Sequence, residues 1–159
     1  MGIAACDLQQ HVIRPTLLYL ERHSHEAEAL LLGAAACQSA LGSLLGADGS
    51  HGLYGIRAEQ HEWLWDHYLA SDPDLASRVR GLASQHAFLD APHLELTVNL
   101  RYSTAIAWLM LEALRQPMPG SDDHLGQARL WRKAFRPDGH LREFVLAWRT
   151  CLGGRVLAA

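Results

Sequence analysis

The chain has no uninterrupted apolar run near the roughly 18 residues that a membrane-spanning helix needs. Its first residues, MGIAACDLQQHVIRP, hold no basic stretch leading into a long apolar core, so neither a span nor a secretory leader is expected. Cysteine is sparse: Cys6, Cys37 and Cys151 are odd in number and widely spaced, without a CxxC pair or a zinc-type Cys/His spacing. Reduced structural thiols, no metal and no cofactor are the expectation. Charge of either sign is modest, 14 Lys and Arg against 17 Asp and Glu, for a net −3 with histidine neutral. No basic field is available to hold a phosphate backbone or an anionic lipid surface, which argues against nucleic acid and membrane insertion.

What is present is an ordinary globular composition. Of 159 residues, 49% are hydrophobic and 19% charged, enough to build one core and too apolar for a disordered chain. One domain over residues 1–152 is expected, with 153–159 as a frayed tail. Ten histidines add charge on mild acidification. Residence in the cytoplasm is the default expectation, with export by a route other than a signal peptide as the alternative.

Periodicity points to helices throughout. Leu8, Val12, Leu17, Leu18 and Leu20 mark a first helix over 7–23, interrupted by Pro15 near Arg14. Ser24 is an N-cap candidate, with Glu26 and Glu28 in the first turn of a second helix over 25–45. On one of its faces, Ala34, Gln38, Leu41 and Leu45 form a stripe that carries a single polar amide. The segment GADGSHGLYG, 46–55, signals turns and a small hairpin or irregular element near 46–57. Further helices are expected over 58–70, from the SDPD start at 71–74 to about 86, over 93–115, from the PMPGSDD loop through Trp131, and over 140–151 after an RPDG turn. The fold class is therefore all-α.

Several of these segments, in this order, carry a resemblance: VIRPTL at 12–17, LLLGAAACQSALG at 30–42, GLYGI at 52–56, NLRYSTAIA at 99–107, and WRKAF followed by RPDG at 131–139. The chain resembles the lysozyme-like lytic transglycosylase domains, particularly the small ones carried by tailed phages and prophages. The resemblance implies a lysozyme-like helical fold, a saccharide cleft whose substrate is peptidoglycan, and virion association or release by phage-type lysis as routes out of the cytoplasm. In that family the second helix ends in an A-x-x-E-S motif whose glutamate is the catalytic acid/base. An apolar cleft raises the pKa of that carboxyl, which then gives its proton to the glycosidic oxygen.

Here the motif reads Ala35-Ala36-Cys37-Gln38-Ser39. An amide has no proton to surrender near neutral pH, and the loss of a general acid removes about 10²–10⁴-fold or more in rate. The family's G-L-x-Q-I segment reads Gly52-Leu53-Tyr54-Gly55-Ile56, without the cleft glutamine. Its Tyr-Asn pair corresponds to Phe135-Arg136, without the phenol or the amide. Asn99, at the head of NLRYSTAIA, joins Gln38, Ser39, Tyr54, Gly55, Phe135 and Arg136 as the residues assigned to the cleft.

For Gln38 two readings stand side by side. One is a buried amide satisfied by nearby backbone, since leaving it unpaired costs about 1–3 kcal/mol. The other is a contact to sugar or peptide in a residual cleft. Asp48 and Glu59 are the carboxylates placed to replace the acid, and both read equally well as solvated charges. Glu62 and Asp66, four apart, read as a solvated helix face. The histidines show no HExxH, and His61 reads as a packing or capping residue. Most of Trp63, Trp65, Trp108, Trp131 and Trp148 are expected in the core, with one of Trp63 and Trp65 exposed as a saccharide platform.

The expectation is a catalytically degenerate lytic-transglycosylase-like protein that binds glycan or a protein partner through its old cleft. The alternatives are an active peptidoglycan-cleaving enzyme with a relocated acid, or a cleft turned to an unrelated ligand. The altered lining, Cys37, Gln38, Gly55, Phe135 and Arg136, is less polar in two places and gains one cation, which suits an anionic or aromatic molecule.

Overall fold

The computed structural model describes residues 1–153, without the side chains of Ala47, Gln85, His86 and Ala87. The tail expected beyond residue 153 lies outside the described residues. Among the described residues the chain is all-α apart from one two-stranded sheet. No helix among the described residues is long and apolar enough to cross a membrane.

The first helical rod, α1, joins Ala5–Leu8, a π-turn at Gln9–Ile13 and Arg14–Tyr19 without a break. Pro15 has no N–H, and its ring crowds the preceding turn. The widened π-turn just upstream absorbs both, so the interruption expected there becomes a bulge.

Helix α2, His25–Ser39, starts as its sequence indicates: Ser24 accepts from the Ala27 amide at 3.0 Å. It ends six residues before the expected 45. Ala40 and Leu41 both take the left-handed conformation, at φ 47° and 56°, before Gly42 at 89°. Each non-glycine residue there costs about 1–2 kcal/mol. Tertiary bonds hold the turn: the Ser39 hydroxyl accepts from Gly42 N at 2.9 Å, and Ile3 N donates to the Leu41 carbonyl at 2.7 Å. Leu41 and Leu45 therefore do not continue the Gln38 stripe.

The hairpin pairs β1, Ser50–His51, antiparallel with β2, Ile56–Arg57, in the register Ser50 to Arg57 and His51 to Ile56. The Leu53 and Tyr54 side chains of its turn are fully buried. Gly52, at φ 75°, packs so closely on the Leu96 carbonyl that a Cβ would collide with backbone, which fixes glycine at this corner.

Helix α3, Ala58–Trp63, runs on through a π-turn at Leu64–Tyr68 and a 3₁₀ turn at Leu69–Ser71. Asp72 then caps α4, Pro73–Leu82, by accepting from Leu75 N at 3.1 Å. This helix stops short of the expected 86, and a separate α5 covers Gln85–Asp90. The helix expected over 93–115 is likewise split, into a 3₁₀ turn at Pro92–Leu94, α6 at Glu95–Val98 and α7 at Leu100–Glu112. Asn99 makes both corrections intelligible. Its Oδ1 caps α7 at Tyr102 N, 3.0 Å, while its Nδ2 donates to the Leu82 carbonyl at 2.7 Å and to Glu95 at 2.9 Å.

Helix α7 is the central rod, buried from Tyr102 through Leu111, with α1, α2, α4 and α8 against it. Helix α8, His124–Phe135, and α9, Leu141–Leu152, pack on each other, and α9 lies along α2. Gly33 sits at that crossing, where a Cβ would run into the Phe144 ring. Arg14, Gln9 and His23 converge on the buried Glu28 carboxylate at 2.6 to 2.8 Å and lock α1 to α2. Burial pushes that carboxyl up, but hydrogen bonds from Arg14, Gln9 and His23 overcome it and hold it at about 2.

Candidate functional site

The end of α2 faces the hairpin turn. Ser39, 2% exposed, points its hydroxyl at the Leu53 carbonyl, 2.6 Å away. One residue earlier, Gln38 Nε2 donates to the Tyr54 carbonyl at 3.1 Å, with the Gly55 carbonyl at 3.5 Å. Gln38 Oε1 has no hydrogen-bond partner and no contact with solvent. The amide is thus half satisfied, by backbone on its donor side only.

Gly55 explains how the amide fits. At φ 57° a Cβ on this residue would lie 2.9 Å from Gln38 Nε2, so the room that a side chain at 55 would need is occupied by the Gln38 amide.

Gln38 and Gly55 line a polar hollow of about 90 Å³ together with Asp48, Ser50, Arg57 and Arg136. Arg57 and Arg136 come from distant parts of the chain, and Gln60 brings them together. Its Oε1 accepts from Arg57 N at 2.9 Å, the reciprocal bond of a helix-start glutamine. Its Nε2 reaches the Ala134 and Phe135 carbonyls, both at 3.3 Å, at the end of α8. The hairpin exit and the end of α8 are therefore tied directly, and Arg136 follows as the first residue beyond that end. Its guanidinium lies 3.7 Å from Asp138, and its Nε makes no hydrogen bond.

The hollow opens along a longer groove. Arg57 also lines an adjoining depression of about 350 Å³ with Gln60, Phe135, Pro137 and Asp138. Gln60 and Pro137 in turn border a third, of about 370 Å³, lined by Glu59, Trp63, Met110, Leu114 and Lys133 among others. The polar end holds Gln38 and the two arginines, and the apolar end holds Trp63, which is 51% exposed and stacked on His67. Fewer tryptophans are fully buried than expected: Trp131 and Trp108 are buried, Trp65 and Trp148 are half-buried against the core, and Trp63 is the exposed member of its pair with Trp65.

Of the residues assigned to the cleft, Gln38, Gly55 and Arg136 meet in the hollow. Ser39 stands behind it as a clamp on the turn. Tyr54 contributes its carbonyl; its ring is fully buried, with the hydroxyl 2.9 Å from Thr104, and burial raises the phenol's pKa. Phe135 forms core and borders the neighbouring depression. Asn99 caps α7 and does not line the hollow. Of the two carboxylates weighed as substitutes, Asp48 reaches the hollow and Glu59 the apolar end. Arg57 and Gln60 were not singled out in the sequence, although a glutamine three residues into a helix is a capping signature. Burial, with Glu143 adding to it, pushes the Cys37 thiol up to about 12, which makes it a poor nucleophile. Among the described residues, no three His, Cys, Asp or Glu side chains are arranged to hold a metal ion.

No family model, no curated protein and no solved structure matches the chain.

Proposed function

We propose that this chain is a catalytically degenerate, lysozyme-like lytic transglycosylase relative that binds a glycan strand along the groove between Gln38 and Trp63. One observation carries the reading. The residue that resembles the family's acid stands at the end of a buried helix, against the hairpin carbonyls, at the head of a groove. A carboxyl in that position would face carbonyl oxygens, which disfavour its charged form and keep on it the proton that a general acid gives to a glycosidic oxygen. Gln38 keeps the donor side of that arrangement and lacks the transferable proton.

The groove's chemistry also suits a saccharide. Its length combines an aromatic face at Trp63, suited to the apolar face of a sugar ring, with guanidinium and amide donors at the other end. An enzyme with a relocated acid is the second reading, because Asp48 shares the hollow with Gln38. Asp48 is exposed, however, and lacks the apolar surround that makes a carboxyl a general acid.

The test is binding to purified peptidoglycan by co-sedimentation, with the supernatant analysed for released fragments. Saturable binding that weakens about tenfold or more in Trp63→Ala, without soluble product, supports the reading. Release of fragments that stops in Asp48→Asn favours the second. Absence of binding overturns both.

A further inference from the structure

Away from the groove, a chain of imidazoles meets the hairpin through one ring stack, beside the buried Leu53 and Tyr54 that anchor its turn. His61 on α3 is 1% exposed. Its Nδ1 lies 2.9 Å from His93 Nδ1, and its Nε2 lies 2.7 Å from the Tyr102 hydroxyl. The Trp65 indole N–H donates to that hydroxyl at 3.0 Å, and His93 Nε2 faces the Glu62 carboxylate at 3.3 Å. His51, on β1 of the hairpin, stacks on His93 with ring centroids 5.8 Å apart.

One placement of protons satisfies the whole chain. Trp65 donates to the Tyr102 oxygen, Tyr102 donates to His61 Nε2, His61 Nδ1–H donates to His93 Nδ1, and His93 Nε2–H points at Glu62. Every member is then neutral except the exposed carboxylate. Among the described residues, two further charged groups lie beside the chain: Glu95, which acts on Tyr102, and Arg80, whose guanidinium lies 5.1 Å above the Trp65 ring.

Acid has nowhere to go without breaking this order. The free lone pair of His93 is Nδ1, so a proton added there would confront the His61 N–H across 2.9 Å. The other tautomer of His61 turns its proton toward the Tyr102 oxygen. That oxygen already accepts from Trp65, and among the described residues the Tyr102 proton has no other acceptor within hydrogen-bond distance. A second cation on His51, stacked on His93, adds like-charge repulsion directly between the hairpin and the 3₁₀ turn Pro92–Leu94.

We propose that the His51, His93 and His61 array is a pH-sensitive latch that holds the hairpin down when neutral and releases it on mild acidification. The hairpin carries the Tyr54 and Gly55 carbonyls, so its release frees the Gln38 amide and reshapes the polar end of the groove. Burial, then the neighbouring His93 and His51, hold His61 down at about 4, in keeping with a ring that resists protonation. The latch belongs to the ligand-free chain and does not depend on what the groove binds.

The experiment is amide hydrogen exchange of the full chain from pH 7.5 to 5, corrected for intrinsic rates, in the parent and in His51→Asn. The substitution removes the stacked partner and leaves the buried hydrogen-bond chain intact. The latch predicts that protection across the hairpin as a whole, residues 50–57, falls about tenfold or more on acidification. Protection in α8 and α9 should hold, and the hairpin loss should shrink to about threefold or less in the variant. Hairpin protection that is unchanged with pH, or that falls equally in the variant, overturns it.

Discussion

Gly55 and Gln38 share one space: a Cβ on Gly55 would stand 2.9 Å from Gln38 Nε2, while that same nitrogen donates to the Tyr54 carbonyl at 3.1 Å. The amide at 38 and the bare backbone at 55 therefore fit as a pair. Gly55→Gln, which restores the residue of the resembling family, meets both the positive φ of 57° and the Gln38 side chain. A loss of about 1–3 kcal/mol is expected, read as a lower midpoint in urea with an unchanged m-value. In a Gln38→Ala background the loss should be smaller, and an additive double-mutant cycle would contradict the shared space.

Gln38→Glu tests the local electrostatics. Its carboxyl would face the Tyr54 and Gly55 carbonyls, which favour the protonated form, while Arg57 and Arg136 across the hollow limit the rise. A folded-state pKa above the unfolded value means that stability is full below about pH 4.3 and falls as pH rises toward the folded pKa. The variant should therefore lose stability relative to the parent between about pH 4.5 and 7, measured by urea unfolding at stepped pH. A flat difference across that range would show an unshifted carboxyl.

Glu28 behaves in the opposite sense. Held at about 2, its carboxylate contributes stability that is complete above the unfolded pKa and disappears as pH falls toward 2. Glu28→Gln should be less stable than the parent at pH 7 and should show a shallower acid transition between about pH 4.5 and 2. Acid titration followed by circular dichroism reads both effects.

The crossing of α2 and α9 depends on Gly33. A methyl group there is driven into Phe144, so Gly33→Ala should cost about 1–3 kcal/mol despite the better helix propensity of alanine. Trimming the partner in Gly33→Ala/Phe144→Leu should recover part of the loss, measured as a midpoint of thermal unfolding.

The sequence was legible where the determinant is local. Ser24 and Asp72 announce helix starts because their side chains bond amides three residues on, and the glycines around 49–55 announce the hairpin because positive φ is needed there. It was not legible where distant groups override periodicity. Nothing local says that Ala40 and Leu41 turn left-handed; Ser39 and Ile3 impose it. The break at Asn99 is hidden in an apolar run, although an asparagine amid helical spacing is itself a cap signal. For the site, Gln38 and Gly55 stand out by contrast with the motifs of the family that the chain resembles, whereas Arg57 enters only through Gln60, whose reach to the end of α8 spans 75 residues.

The central claim is that the groove still holds glycan while the acid at its head is silent. The most direct measurement is turnover of purified peptidoglycan by the parent beside Gln38→Glu, with bound protein quantified and soluble products resolved by mass. The account predicts saturable binding by both and no product from the parent, with anhydro-muropeptides released only by the variant. Anhydro-muropeptides from the parent itself would contradict it.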